Sequence, residues 1–259
     1  FETLLGPTAR VDRDDPADLE RTILDIGPDR VAAFICEPIV GAGGMFFPQD
    51  GYLEAVRAIC RKHDVLFIVD EVVTAFGRAG HWFASERFNL DPDVILCAKG
   101  ITSGYVPLGA VLVSERAAAP FWEDGEMFRH GYTYSGHAVA LAAALANLDY
   151  INDHGLLEAS TRIESRFPSL LAPLTDLSMV HSIRTGPAAL AAVQLDPDQC
   201  AADPSLPSRA VLALRAAGVL TRSLSVGAVQ LSPALTTSDV ELDQMVERFY
   251  AGLSTLDQH

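Results

Sequence analysis

The chain has 259 residues, 49% of them hydrophobic and 20% charged, with a formal net charge of −15. That composition suits a folded protein with a sizeable core rather than a disordered chain, and so acidic a balance argues against a binder of nucleic acid or of anionic membranes. With no basic-then-apolar leader at Phe1 and no apolar run long enough to span a bilayer, the chain is expected to be soluble and cytoplasmic.

In chain order, Asp15-Pro16-Ala17-Asp18 starts a helix pattern to about Ile26, stopped by Gly27-Pro28. Residues 31–36 form a continuous apolar run that suits a strand buried on both faces, and glycines follow at 41, 43 and 44. Residues 52–63 predict a helix with Leu53, Val56, Ile59 and Cys60 on one face. Residues 65–69, 94–98 and 109–113 predict three further buried strands, the first ending at Asp70-Glu71 and the second at Lys99-Gly100. Apolar strands with polar residues collecting at their ends are the pattern of an α/β sheet whose ligand crevice lies there, although strand order is left open. Residues 133–150 contain an alanine-rich helix that calls for close packing, and a second helix runs from the stop at 152–155 to about Leu171. Beyond it, short strand candidates at 189–195, 219–222 and 228–231 mix with helix candidates at 208–217 and 238–253. This reads as a smaller α+β domain, so the expected division is residues 1–160 and 161–259.

Four widely spaced cysteines, Cys36, Cys60, Cys97 and Cys200, show no CxxC pair and no Cys/His cluster suited to zinc. They are read as reduced and structural, with no metal site. Of the nineteen basic residues only two are lysines. Lys62 ends a helix pattern, where a cation suits the dipole. Lys99 follows an apolar strand and precedes a glycine, which invites a chemical explanation. Taken alone, Asp70 reads as a helix cap or crevice acid and Lys99 as a solvated strand-end lysine. Together they read differently. A partly desolvated amine loses proton affinity and can attack a carbonyl, and a carboxylate paired with a pyridinium nitrogen keeps that ring an electron sink.

Several ordered motifs now carry a resemblance. They are Glu37-Pro38-Ile39 with Gly41-Ala42-Gly43-Gly44, the run from Asp70-Glu71-Val72 to Gly77-Arg78, Pro92-Asp93, the run from Ala98-Lys99-Gly100 to Leu108-Gly109, and the run from His130-Gly131 to Gly136-His137. In these the sequence resembles the class III, or ω-amino-acid, aminotransferases of the fold-type I pyridoxal-phosphate enzymes, along nearly the whole chain. The resemblance implies an α/β fold, with part of the large cofactor-binding domain followed by a smaller α+β C-terminal domain. It implies that Lys99 forms the Schiff base with pyridoxal 5'-phosphate and shuttles the proton, that Asp70 binds the pyridine nitrogen and that Val72 packs on one ring face. It further implies that Thr133 donates to the cofactor phosphate across a homodimer interface, and that Arg222 holds a substrate carboxylate. Thr133 also reads as the N-cap of the alanine-rich helix, and Arg222 equally as a surface arginine. Glu37, Trp82 and Tyr105 are candidate pocket residues or, equally, a turn acid and core aromatics. His137 reads as structural, and Arg78 as a partner for Asp70 or Glu71. Ornithine- and γ-aminobutyrate-type relatives usually carry a glutamate where Ala42 stands, which favours the branch using pyruvate and ω-amino acids or amines. The alternatives are another class III reaction, a decarboxylase or aminomutase, and a non-catalytic relative serving as a dimerisation scaffold.

Members of the resembling family carry a long segment before the matched region, with a Gly/Ser phosphate loop and an aromatic that stacks on the other ring face. Neither motif is found in these residues, so the chain is expected to be the C-terminal part of such an enzyme. One phosphate contact and one ring face do not make a closed site. The 259-residue chain by itself should therefore bind pyridoxal phosphate poorly in equilibrium titration, and an affinity like that of a full-length relative would refute this.

Overall fold

A computed structural model describes residues 8–123 and 125–257. Helix α1 (Pro16–Ile26) starts where the Asp15 carboxylate accepts the Ala17 backbone N–H and Pro16 supplies the fixed φ of a first turn. It stops at Gly27, whose φ of +96° a side chain would resist. Leu19 and Ile23 of α1 bury against Leu53, Val56 and Cys60 of α2 (Tyr52–Lys62). Both helices cover one face of a sheet through Phe67 and Val69.

That sheet holds β1 (Ala33–Cys36), β2 (Leu66–Asp70), β3 (Val94–Cys97) and β4 (Ala110–Val113), side by side in chain order. The first three are parallel and β4 is antiparallel to β3. Parallel neighbours need crossovers, which α2 supplies between β1 and β2 and the short α3 (Ala84–Arg87) between β2 and β3. The expected strands are present, but burial on both faces is not. Ile35 of β1 is 54% exposed, and Val111, Leu112 and Val113 of β4 are all exposed. These are the two edges of the sheet, and few of the described residues cover the face opposite α1 and α2.

After α4 (Glu115–Ala118) comes a segment rich in exposed aromatics, then α5 (Ala138–Asp153) and α6 (Leu156–Leu171). The cap of α5 is His137, whose Nδ1 accepts the Ala140 N–H at 3.3 Å, and not Thr133. His137 is thus structural, as its place in the sequence suggested. An antiparallel sheet follows, in the order β5 (Val180–Thr185), β6 (Ala191–Leu195), β7 (Ala228–Leu231). It packs with α6, α7 (Pro197–Ala202), α8 (Leu206–Ala216) and α9 (Asp239–Asp257) around Phe167, Leu171, Val193, Leu214 and Phe249. Residues 219–222, expected as a strand, run extended beside β7, with the Gln230 N–H donating to Arg222 O, but build no ladder of their own. Strand β5 was not anticipated, because His181, Ser182 and Arg184 interrupt its apolar pattern.

The two sheets meet where Ile39, Met45 and Ala79 pack on Ala188, Leu190 and Ala192. The small side chains of β6 bring the backbones close. Beside this seam Arg87 of α3 forks onto Glu164 of α6, with N–O distances of 2.7 and 2.8 Å.

All four cysteines are free thiols. Burial, with smaller contributions from nearby charges, pushes Cys36 and Cys60 up from 9.0 to about 12. These two thiols are therefore neutral and poorly nucleophilic at pH 8. A thiol-specific reagent should label Cys60, which is fully buried, in the native chain only as fast as the structure opens. The folded state holds the protons of Cys36 and Cys60 more tightly than the unfolded state, so the contribution of these two thiols to stability should be constant below pH 9 and fall as pH rises from there toward 12. Native-state labelling of Cys60 at the rate of a free thiol would contradict this.

Candidate active site

The carboxyl end of β2 carries two adjacent acids with opposite fates. Side chains alternate along the strand, so Phe67 and Val69 face the helices while Asp70 shares the less covered face with Leu66 and Ile68. Asp70 is half-buried, and its Oδ1 accepts the Val72 N–H at 3.0 Å, which begins the chain's reversal. Glu71 is completely buried. Its Oε2 accepts the Thr74 hydroxyl at 2.9 Å and the Ala84 N–H at 2.6 Å, and its Oε1 accepts the Ser85 N–H at 2.8 Å. The carboxylate thus satisfies the unpaired first amides of α3, where the helix dipole also favours an anion. The Glu71 N–H extends the ladder to Leu96 O of β3 at 2.8 Å.

Lys99 stands just beyond the end of β3, the parallel neighbour of β2, with Asp70 in register with Leu96. The amine and the acid therefore leave the sheet at the same end, on strands about 4.8 Å apart. Lys99 has φ +42°, a left-handed conformation that costs a lysine about 1–2 kcal/mol. It opens a tight turn over Lys99–Ile101. Gly100 sets that turn against the loop after Asp70. A Cβ there would lie 3.2 Å from Phe76 Cβ and 3.4 Å from Ala75 O. From below, the Asn147 amide of α5 donates to Gly100 O at 2.8 Å and to Ile101 O at 3.2 Å. The two lysines also differ. Lys62 Nζ pairs with Glu20 at 2.6 Å, whereas Lys99 makes no ion pair among the described residues. Lys99 is exposed, so the desolvating surroundings expected around it are not supplied by the described residues.

The other candidates are scattered. Val72 is half-buried, and its neighbour Val73 presses on Gly41, where an added Cβ would be 3.2 Å from Val73 Cγ2. Glu37 is a turn acid, its Oε2 accepting the Gly41 N–H at 2.9 Å. Trp82 packs into the cluster around Phe76 and Ile151, and Tyr105 is 87% exposed. Thr133 is exposed within a wholly exposed stretch, 131–139. Arg222 donates through Nε to Gln230 Oε1 at 2.8 Å and lines a shallow groove of about 400 Å³ with Leu220, Gln230 and Met245. None of Asp70, Val72, Lys99 or Thr133 lines that groove.

Arg78 pairs with neither Asp70 nor Glu71. Its guanidinium donates to Ala189 O at 3.0 Å and Pro233 O at 2.8 Å, and burial pushes it down to about 10. The acids were nearer in sequence, but Glu71 is fully used by α3. A second arginine was missed by sequence reasoning. Arg184 of β5 donates to Gly44 O at 2.7 and 3.0 Å and to Met45 O at 3.2 Å. Arg184 and Arg13 both lie over the Phe46 ring, at 4.8 and 3.6 Å from its centre. Asn147 was missed too, although a lone amide on the packed stripe Ala140, Ala144, Ile151 was a readable signal.

Parallel strands deliver a lysine and an acid at adjoining carboxyl ends, with a small antiparallel sheet docked beside them, and solved transaminases 33–34% identical to this chain share this fold with TM-scores of 0.83 and 0.87, which makes it the fold-type I pyridoxal-phosphate transferase fold. The ω-transaminase from Pseudomonas jessenii, solved in complex with PMP, is 35% identical and superposes with a TM-score of 0.85 over 94% of this chain and 55% of its own. The pattern described as Aminotransferase class-III matches residues 11–253, and the chain belongs to that family. Among curated relatives, γ-aminobutyrate transaminase 3 of Solanum lycopersicum is 37% identical over 90% of this chain and 46% of its own length. The putrescine–pyruvate aminotransferase of Pseudomonas aeruginosa is 48% identical over 54% of this chain and 30% of its own length. The chain spans about half the length of the first curated relatives it matches.

The two acids at the end of β2 separate fold from chemistry. Replacing Glu71 with Ala leaves buried amides unpaired and should cost about 3–5 kcal/mol. Replacing Asp70 with Asn should cost about 1 kcal/mol or less. Urea unfolding at constant m-value checks both, and equal losses would show that Glu71 does not anchor the turn.

Proposed function

We propose that the complete protein is a pyridoxal-phosphate-dependent aminotransferase that moves an amino group from an ω-amino acid or amine to a keto acid such as pyruvate. The observation that carries this reading is the Lys99 turn. It holds an amine with no ion pair among the described residues, in a costly backbone conformation, packed through Gly100 on the loop that follows Asp70. Family membership supports it, and so do relatives that act on γ-aminobutyrate or on putrescine with pyruvate.

The donor set fits the cofactor chemically: an amine for its carbonyl carbon, a carboxylate for its ring nitrogen, a branched apolar side chain for its ring face and a hydroxyl for its phosphate. When bound, pyridoxal phosphate supplies an electron-withdrawing ring that stabilises negative charge at the substrate carbon. Lys99 would hold it through Nζ, and the same amine would be the base that moves the substrate proton. Asp70 would pair with the ring nitrogen and favour its protonated form. Val72 would supply an apolar face for the ring. Thr133 would donate its hydroxyl to the phosphate in the site of a second subunit. Arg222 engages a substrate carboxylate. This is supported by the free forward edge of its guanidinium, since only Nε is bonded among the described residues.

The homodimer belongs to the same reading. Trp122, Met127, Phe128, Tyr132 and Tyr134 are 64–81% exposed along one arm, a density of apolar surface that suits a partner. The division into a cofactor-binding part, residues 1–160, and a small C-terminal domain, residues 161–259, runs through α6. That helix packs toward the first sheet with Leu156 and toward the second with Ile163, Phe167 and Leu171.

The test replaces Lys99 with Ala in the complete protein and incubates it with an amine and pyruvate. Alanine formation should fall by roughly a thousandfold or more, and the visible cofactor band that borohydride bleaches should vanish. Turnover near the parent level would sink the proposal. Product analysis of the parent separates this reaction from a decarboxylase or aminomutase, since only the transaminase makes alanine.

A further inference from the structure

We infer that Asn147 is a positioning residue for Lys99, acting from α5 through the turn that carries the amine. The inference rests on the functional reading above for the role of Lys99, and on geometry for everything else. Helix α5 presents Ala140, Ala144, Leu148 and Ile151 as its packed stripe, and Asn147 stands on that stripe as its one polar member. A polar group there must be paired. Its side-chain NH2 donates to Gly100 O at 2.8 Å and Ile101 O at 3.2 Å, and its Oδ1 accepts the Ser103 hydroxyl at 2.6 Å. One amide thus ties three of the four residues that follow Lys99.

Those residues need tying. Lys99 and Ser103 both have positive φ, +42° and +48°, so the turn is strained at either end. Thr102 is buried and donates to Val106 O at 2.7 Å, and Gly100 rests on Phe76 and Ala75. These contacts fix the far and upper sides of the turn, and Asn147 closes the lower side. Without its two donors the carbonyls of Gly100 and Ile101 lose their partner, and Lys99 is free to relax toward an ordinary φ. Its Nζ would then leave the position that the strained turn gives it. A purely structural asparagine would alter stability alone, whereas a positioning one alters where and how readily the Lys99 nitrogen accepts a proton.

The experiment uses the complete protein with Asn147→Leu, which keeps size and removes every hydrogen bond, and Asn147→Asp, which keeps the acceptor for Ser103 and removes the donors. Ser103→Ala is the mild third variant should either fold poorly. Hydrogen exchange on the cofactor-free protein reads the turn, and pH titration of the visible band with added pyridoxal phosphate reads the nitrogen. Both Asn147 variants should exchange amides 100–105 about tenfold faster, with the Glu71 loop unchanged. Their spectral midpoints should move by about half a pH unit or more, and kcat should drop about tenfold while KM changes less than about twofold. Ser103→Ala should show the same pattern at smaller size. Unchanged exchange would overturn the clamp, and faster exchange with an unmoved midpoint and kcat would overturn its positioning role. A parent protein that forms no band at all would instead overturn the functional reading, with the exchange data still reporting on the clamp.

Discussion

The buried carboxylate of Glu71 is the constraint on which the rest of this architecture turns. It has no cation at hand among the described residues, a hydroxyl and two helix amides hold it, and its own N–H continues the ladder to β3. Such a group is stable only if every partner is in place. The chain from Thr74 to Ser85 must therefore fold back over the strand end. That reversal fixes the residue before it, Asp70, on the less covered face. It also creates the ledge of Ala75 and Phe76 on which Gly100 and the Lys99 turn rest.

The same ledge explains why neither strand end would have meant much alone. A lysine after one parallel strand and an acid after its neighbour share only a direction of exit. Their loops meet because bare backbone at 100 lets them touch and because α5 props the turn from beneath with an amide. Nothing here needs a long-range charge effect. The parts are ladder register, one missing Cβ and a handful of hydrogen bonds to carbonyls.

Much of this could be read from the residues. Proline at 16 after Asp15 marked the start of α1 to the residue, and the apolar runs marked all four strands of the first sheet. What the runs could not convey was which strands lie at edges, because an apolar run records a covered face without saying which molecule or segment covers it. Strand β5 went unseen since its polar residues are spent on specific bonds, Arg184 above all, rather than on solvent. The stretch at 219–222 was over-read for the opposite reason. Its β-branched and apolar residues line the groove of Arg222 without finding a full ladder. Arg78 was assigned to the nearest acids in sequence. Its true partners are carbonyls more than a hundred residues away, a fact that only the fold can hold.

The choice of partners for Arg78 and Arg184 has a consequence for how the molecule withstands acid. Most guanidinium contacts at the surface, such as Arg116 with Asp93 or Arg209 with Asp203, end on carboxylates and lapse once those are protonated. A main-chain oxygen has no proton to gain at such pH values. The two arginines that lace the loops at 44–45 and 78 to the second sheet therefore keep their bonds through an acidification that strips the rim. Souring the solvent should loosen the periphery first and leave the seam between the sheets closed until the core itself gives way.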